Sequence, residues 1–199
     1  MNRPLAFLFV FFLSCSPSYK EIKSIEIMSY RYTSIIDGSE FQIKPILYAV
    51  VDESGDVNME RINQDGWTHY NFDIEKKYLD IVEEKTRNTS AKTYLRNPDS
   101  VKACVCDYPI IRVKINYENS SSLSFNFEEN DPSEKFKSAK YIFNEVLRKS
   151  KGNDHITKVL NNLNDERKAF VDYTMNKDTL ELPFPIKPKK MDQIQFIKP

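Results

Sequence analysis

The stretch from Ile111 to Leu147 limits the fold more than any other part of the chain. Ile111, Val113, Ile115 and Tyr117 alternate with Arg112, Lys114 and Asn116. A turn follows over Glu118 to Ser122, and Leu123, Phe125 and Phe127 then alternate with Ser124 and Asn126. Side chains along a strand point to opposite faces with period two, so this pattern predicts a β-hairpin with one apolar face to bury and one wet face. The cover for the apolar face comes next. Asp131-Pro132-Ser133-Glu134 places an N-cap Asp before a first-turn Pro and an acid, and Phe136, Ala139, Phe143, Val146 and Leu147 share one helical face, with Gly152 ending the helix. The expected fold class is α+β, an antiparallel sheet with hairpins packed on one face by two or three helices.

The rest of the chain fits that plan. Ile22 to Tyr32 is strand-like, and Phe41 to Val51 is a second apolar run in which Pro45 marks an edge or a bulge. Asp52-Glu53-Ser54-Gly55-Asp56 turns it into Val57 to Ile62, a second hairpin, with a further strand at Trp67 to Phe72. Asp73 is placed to cap a helix from Ile74, whose face is Ile74, Tyr78, Ile81 and Val82; Arg87 to Ser100 reads as a loop. Another helix is predicted from Asp154, with Ala169 to Tyr173 either helix or strand. The boundaries are 23–182 for a single domain and 183–199 for a Pro-containing tail.

Composition excludes several functions. Lys and Arg number 29 and so do Asp and Glu, which argues against nucleic-acid binding, since that requires a surplus of cations to displace counterions from phosphates. The four glycines lie far apart at Asp37-Gly38, Ser54-Gly55, Asp65-Gly66 and Lys151-Gly152, so the Gly-rich cradles for dinucleotides and triphosphates are missing.

The N-terminus carries an address. Arg3 precedes nine apolar residues, Leu5 to Leu13, then Ser14 and Cys15. Nine residues span about 14 Å as a helix, half of a hydrocarbon core of about 30 Å, so the segment reads as a secretion signal and not as a membrane span. Phe12-Leu13-Ser14-Cys15 resembles the lipobox of bacterial lipoproteins, in which a peptidase cuts before a cysteine that has received a diacylglyceryl group. The resemblance implies a signal peptide over 1–14, a lipidated tether over 15–22 and lipid attachment at Cys15. Ser16 lacks the Asp that favours inner-membrane retention, so the expected location is the cell envelope, lipid-anchored, with the outer membrane favoured over the inner. Acyl chains contribute about 0.8 kcal/mol per buried CH₂, which holds a domain on a membrane.

Chemistry is harder to find. Cys104 and Cys106 form a candidate disulfide or thiol pair, but residues two apart in a strand have Cα atoms roughly 6.6 Å apart and the spacing is not Cys-x-x-Cys. His69, His155 and the two cysteines are too scattered for a zinc motif, so no metal or other cofactor is expected. No GxSxG elbow is present, and the adjacent acids Glu83-Glu84 and Glu128-Glu129 are not a glycosidase pair, so no catalytic residue is assigned. Trp67-Thr68-His69-Tyr70 is a candidate recognition surface, carried by Trp67, His69 and Tyr70. The expected function is a membrane-anchored, non-enzymatic module that binds a protein, ligand or envelope component. The alternatives are an immunity or inhibitor-type lipoprotein and an envelope hydrolase using His69 or His155.

Overall fold

The computed structural model describes residues 20–34, 41–64, 66–89, 93–94, 109–151 and 163–178. The strands are β1 (Ile22–Ser34), β2 (Phe41–Asp52), β3 (Asp56–Asn63), β4 (Gly66–Asp73), β5 (Thr93–Tyr94), β6 (Ile110–Tyr117) and β7 (Ser122–Glu128). The helices are α1 (Lys76–Thr86), α2 (Lys137–Lys149) and α3 (Asn164–Asp178), with a 3-10 turn at Glu134–Phe136 leading into α2. All seven strands form one sheet in the order β4-β3-β2-β1-β6-β7-β5. Every pairing is antiparallel except the short parallel contact of β5 with β7. The architecture is α+β; β2–β3 and β6–β7 are the two predicted hairpins, and the further strand, β4, pairs antiparallel with β3.

Pro45 sits in an interior strand, where its missing N–H is tolerated at a bulge. Ser29 pairs with Leu47 but Tyr30 pairs with Pro45, so Ile46 is the extra residue. The β2–β3 turn is built around Asp52, whose Oδ1 accepts from the backbone N–H groups of Ser54, Gly55 and Asp56 and from Ser54 Oγ. Partial burial pushes the Asp52 carboxyl upward, but these donors outweigh it and hold it below the usual range. Such a group stabilises the fold above its unfolded pKa, and the contribution is lost as pH falls through the lower folded value. The stability difference between wild type and Asp52→Asn is therefore expected to shrink below about pH 4 in urea titrations.

Gly55 in this turn has φ +99°, and a Cβ there would lie 2.5 Å from the carbonyl oxygen of Ile74. The Ile74 N–H in turn donates to the Gly55 carbonyl at 2.9 Å. Gly55→Ala is expected to cost about 1–3 kcal/mol, read from the urea midpoint.

These contacts also move the start of α1. Asp73 ends β4 and Ile74 is buried against the turn, so the helix begins at Lys76 without a side-chain cap and buries Leu79, Val82 and Thr86. At α2, Asp131 Oδ1 accepts from the Ser133 N–H, and the 3-10 turn delays the α-helix to Lys137. The helix ends at Lys149, before Gly152, which lies outside the described residues, as does the segment predicted to be helical from Asp154. Ala169 to Tyr173 is helical, within α3. The loop expected over Arg87 to Ser100 contains β5, whose Tyr94 stacks on Phe125 at 5.4 Å.

The main core lies between one sheet face and helices α1 and α2. Ile25, Ile27, Ala49, Val113, Ile115 and Phe125 from the sheet meet Leu79, Val82, Ile142, Phe143 and Val146 from the helices. Phe136, from the 3-10 turn, stacks on Phe127 at 5.3 Å.

The opposite face corrects the expectation of a wet surface with all helices on one side. There α3 lies on the sheet, and Leu163 and Phe170 form a second core with Met28, Tyr30, Tyr48 and Ile110. Arg112, Ser124 and Asn126, expected in water, are buried. Alternation marks polar positions without saying whether water or protein satisfies them, and here protein does. Glu26 Oε1 accepts from Lys114 Nζ at 2.9 Å and from Asn116 Nδ2 at 2.9 Å. Tyr48 donates to Glu26 Oε2 at 3.2 Å, and Asn126 Nδ2 donates to the Tyr30 hydroxyl at 3.2 Å. Burial, and then the Glu26 charge, push the Tyr48 phenol far up, so it stays protonated as the donor.

Candidate functional site

Register builds a polar cluster where α3 crosses β3 and β4. Glu60 on β3 pairs with His69 on β4, and Ile62 pairs with Trp67, so Glu60, His69 and Trp67 share the face that α3 covers. Glu60 is only 1% exposed. Its Oε1 accepts from the Leu163 N–H at 3.0 Å, just before α3, and lies 3.2 Å from His69 Nδ1; its Oε2 is ion-paired with Arg167 one turn into the helix. The Arg167 guanidinium also donates to Asn164 Oδ1 at 2.9 Å and lies 4.0 Å from the centre of the Trp67 ring. Burial draws the Arg167 pKa down, against the pull of Tyr48. A guanidinium starts so high that it keeps its charge.

Further along α3, Phe170 lies 5.7 Å from Tyr48, and Tyr173 sits 5.1 Å from Lys114 Nζ and 5.8 Å from the Arg112 guanidinium. The helix therefore meets the sheet through aromatic rings laid over cations and one shared carboxylate.

Chemically, Glu60 and His69 bring a carboxylate and an imidazole within ion-pair distance, with no hydrogen bond formed at Nδ1 among the described residues. The same carboxylate is committed to Arg167 and to the Leu163 N–H, so its principal work is to fasten α3 to the sheet. Among the described residues, no group of three or more His, Cys, Asp or Glu is placed to hold a metal ion.

The sequence-predicted strip divides between faces. Trp67 and His69 point toward α3, with His69 21% exposed, while Tyr70 points the other way and packs half-buried against the main core. Cys15, Cys104, Cys106 and His155 lie outside the described residues. Sequence reasoning missed Glu60 and Arg167. Glu60 carries only a faint signal, an acid sharing a strand face with Asn58 and Ile62. Arg167 carries none, being one charge among Asp165, Glu166 and Lys168.

Among the described residues no helix is long and apolar enough to cross a membrane. Comparison of the chain with protein-family models, curated proteins and solved structures found no match.

Proposed function

We propose that the protein is a lipid-anchored lipoprotein of the cell envelope, attached to the outer membrane in preference to the inner, whose α+β domain binds a protein or another envelope component without chemistry of its own. The observation that carries this reading is the sequence Phe12-Leu13-Ser14-Cys15 behind a short apolar run. The domain begins close to the anchor, because β1 starts at Ile22.

The recognition surface is strand β4 at the end of the sheet, where Trp67, His69 and Tyr70 are all half-buried. Trp and Tyr give large contact areas at small entropic cost.

Detergent-phase partitioning tests the anchor. The wild-type chain is expected in the detergent phase and the envelope pellet, with Cys15→Ala reducing its detergent-phase share at least about tenfold; equal partitioning of the two would refute lipidation at Cys15. Photo-crosslinkers at Thr68 and Asn71 test the surface, and a discrete adduct formed there but not at Lys44 is the expected result.

The Glu60–His69 pair favours one second reading, an envelope hydrolase using His69. In the binding reading, His69→Gln weakens the adduct and the cellular phenotype together; in the hydrolase reading it abolishes the phenotype while the adduct survives.

A further inference from the structure

Lys20 lies in the tether, and its Nζ donates to the Thr89 carbonyl at 2.8 Å, just past the end of α1. Thr89 lines a cleft of about 400 Å³ between α1, β5, β7 and the entry to α2. Around that cleft stand Lys85, Lys135 and Lys137, with the Thr89 and Ser138 hydroxyls and the Tyr94 ring stacked on Phe125. Glu134 is the one carboxylate among these lining residues, and it is held by Lys137 at 3.0 Å. The balance at the cleft is therefore cationic, although the chain as a whole carries no net charge.

Distance decides what this charge faces. Five residues of chain extend at most about 18 Å, so a lipid on Cys15 brings Lys20, and the cleft it touches, within that reach of the bilayer surface. Juxtamembrane lysines are drawn to anionic headgroups, and a tyrosine suits the headgroup level. We propose that this cleft takes the phosphate of an anionic phospholipid headgroup and so orients the anchored domain, with β4 presented away from that contact. The inference rests on the lipid-anchored reading above.

The test is lysine acetylation, mapped by mass spectrometry, on the protein extracted from membranes and incubated with vesicles of pure phosphatidylcholine or with 30% phosphatidylglycerol. Lys85, Lys135 and Lys137 are expected to react at least about threefold more slowly on the anionic vesicles, with Lys44 unchanged. Equal reactivity on both compositions, with the protein floating with both, overturns the headgroup site and leaves the anchor standing. Flotation with the anionic vesicles alone, with the same protection, supports the site and removes the anchor; flotation with neither overturns both. Equal protection by inorganic phosphate without vesicles would identify a free-phosphate site and overturn the headgroup assignment.

Discussion

Replacing Glu60 by alanine is expected to destabilise the protein by about 3–5 kcal/mol, because it leaves the Arg167 guanidinium, only 12% exposed, without its counter-charge and the Leu163 N–H without its acceptor. The loss should appear as a lower urea midpoint, with faster hydrogen exchange throughout α3 while β1 and β6 stay protected. The double replacement Glu60→Leu with Arg167→Leu separates the two parts of the effect. A buried pair exchanged for apolar groups of similar size is often neutral or better, so the double variant should recover most of the stability lost by Glu60→Ala. A cost below about 1 kcal/mol for the single change would show that Glu60 is solvated and that α3 is held by Phe170 and Leu163 alone.

Phe136→Ala is expected to cost about 3–5 kcal/mol, again read from equilibrium unfolding. Phe136 is fully buried, stacks on Phe127 and closes the core at the entry to α2, where the 3-10 turn leaves little freedom to collapse around a cavity. Tyr141, 37% exposed on the flank of α2 where its ring lies 5.3 Å from that of Tyr78 in α1, is the control: its truncation should cost at least about 2 kcal/mol less than Phe136→Ala. Similar losses at both positions would mean that α2 does not use the face containing Phe136.

Which elements could be read from the sequence follows from how each is stabilised. The hairpins were legible because burial of Ile111, Val113, Phe125 and Phe127 imposes a period of two, and Pro45 announced its bulge because proline cannot donate to a ladder. Helix α2 was legible because Phe136, Ala139, Phe143 and Val146 form an apolar stripe, to which the structure adds Ile142. By contrast α3 has almost no amphipathic pattern. It is held by a carboxylate from a strand more than a hundred residues away and by rings over cations, contacts that leave no periodic trace.

The same reason hid the site. Trp67 and His69 were visible as residue types, but their partners Glu60 and Arg167 resemble ordinary surface charges until register and packing bring them together. The N-terminal signal was legible for the opposite reason, since a short apolar run ending at a cysteine is read linearly and requires no fold.

The anchored reading is tested most directly by the intact mass of the protein extracted from membranes. The expected species begins at Cys15 and carries a diacylglyceryl group on its thiol, with residues 1–14 removed. A chain cleaved elsewhere, or one beginning at Cys15 with an unmodified thiol, would contradict it.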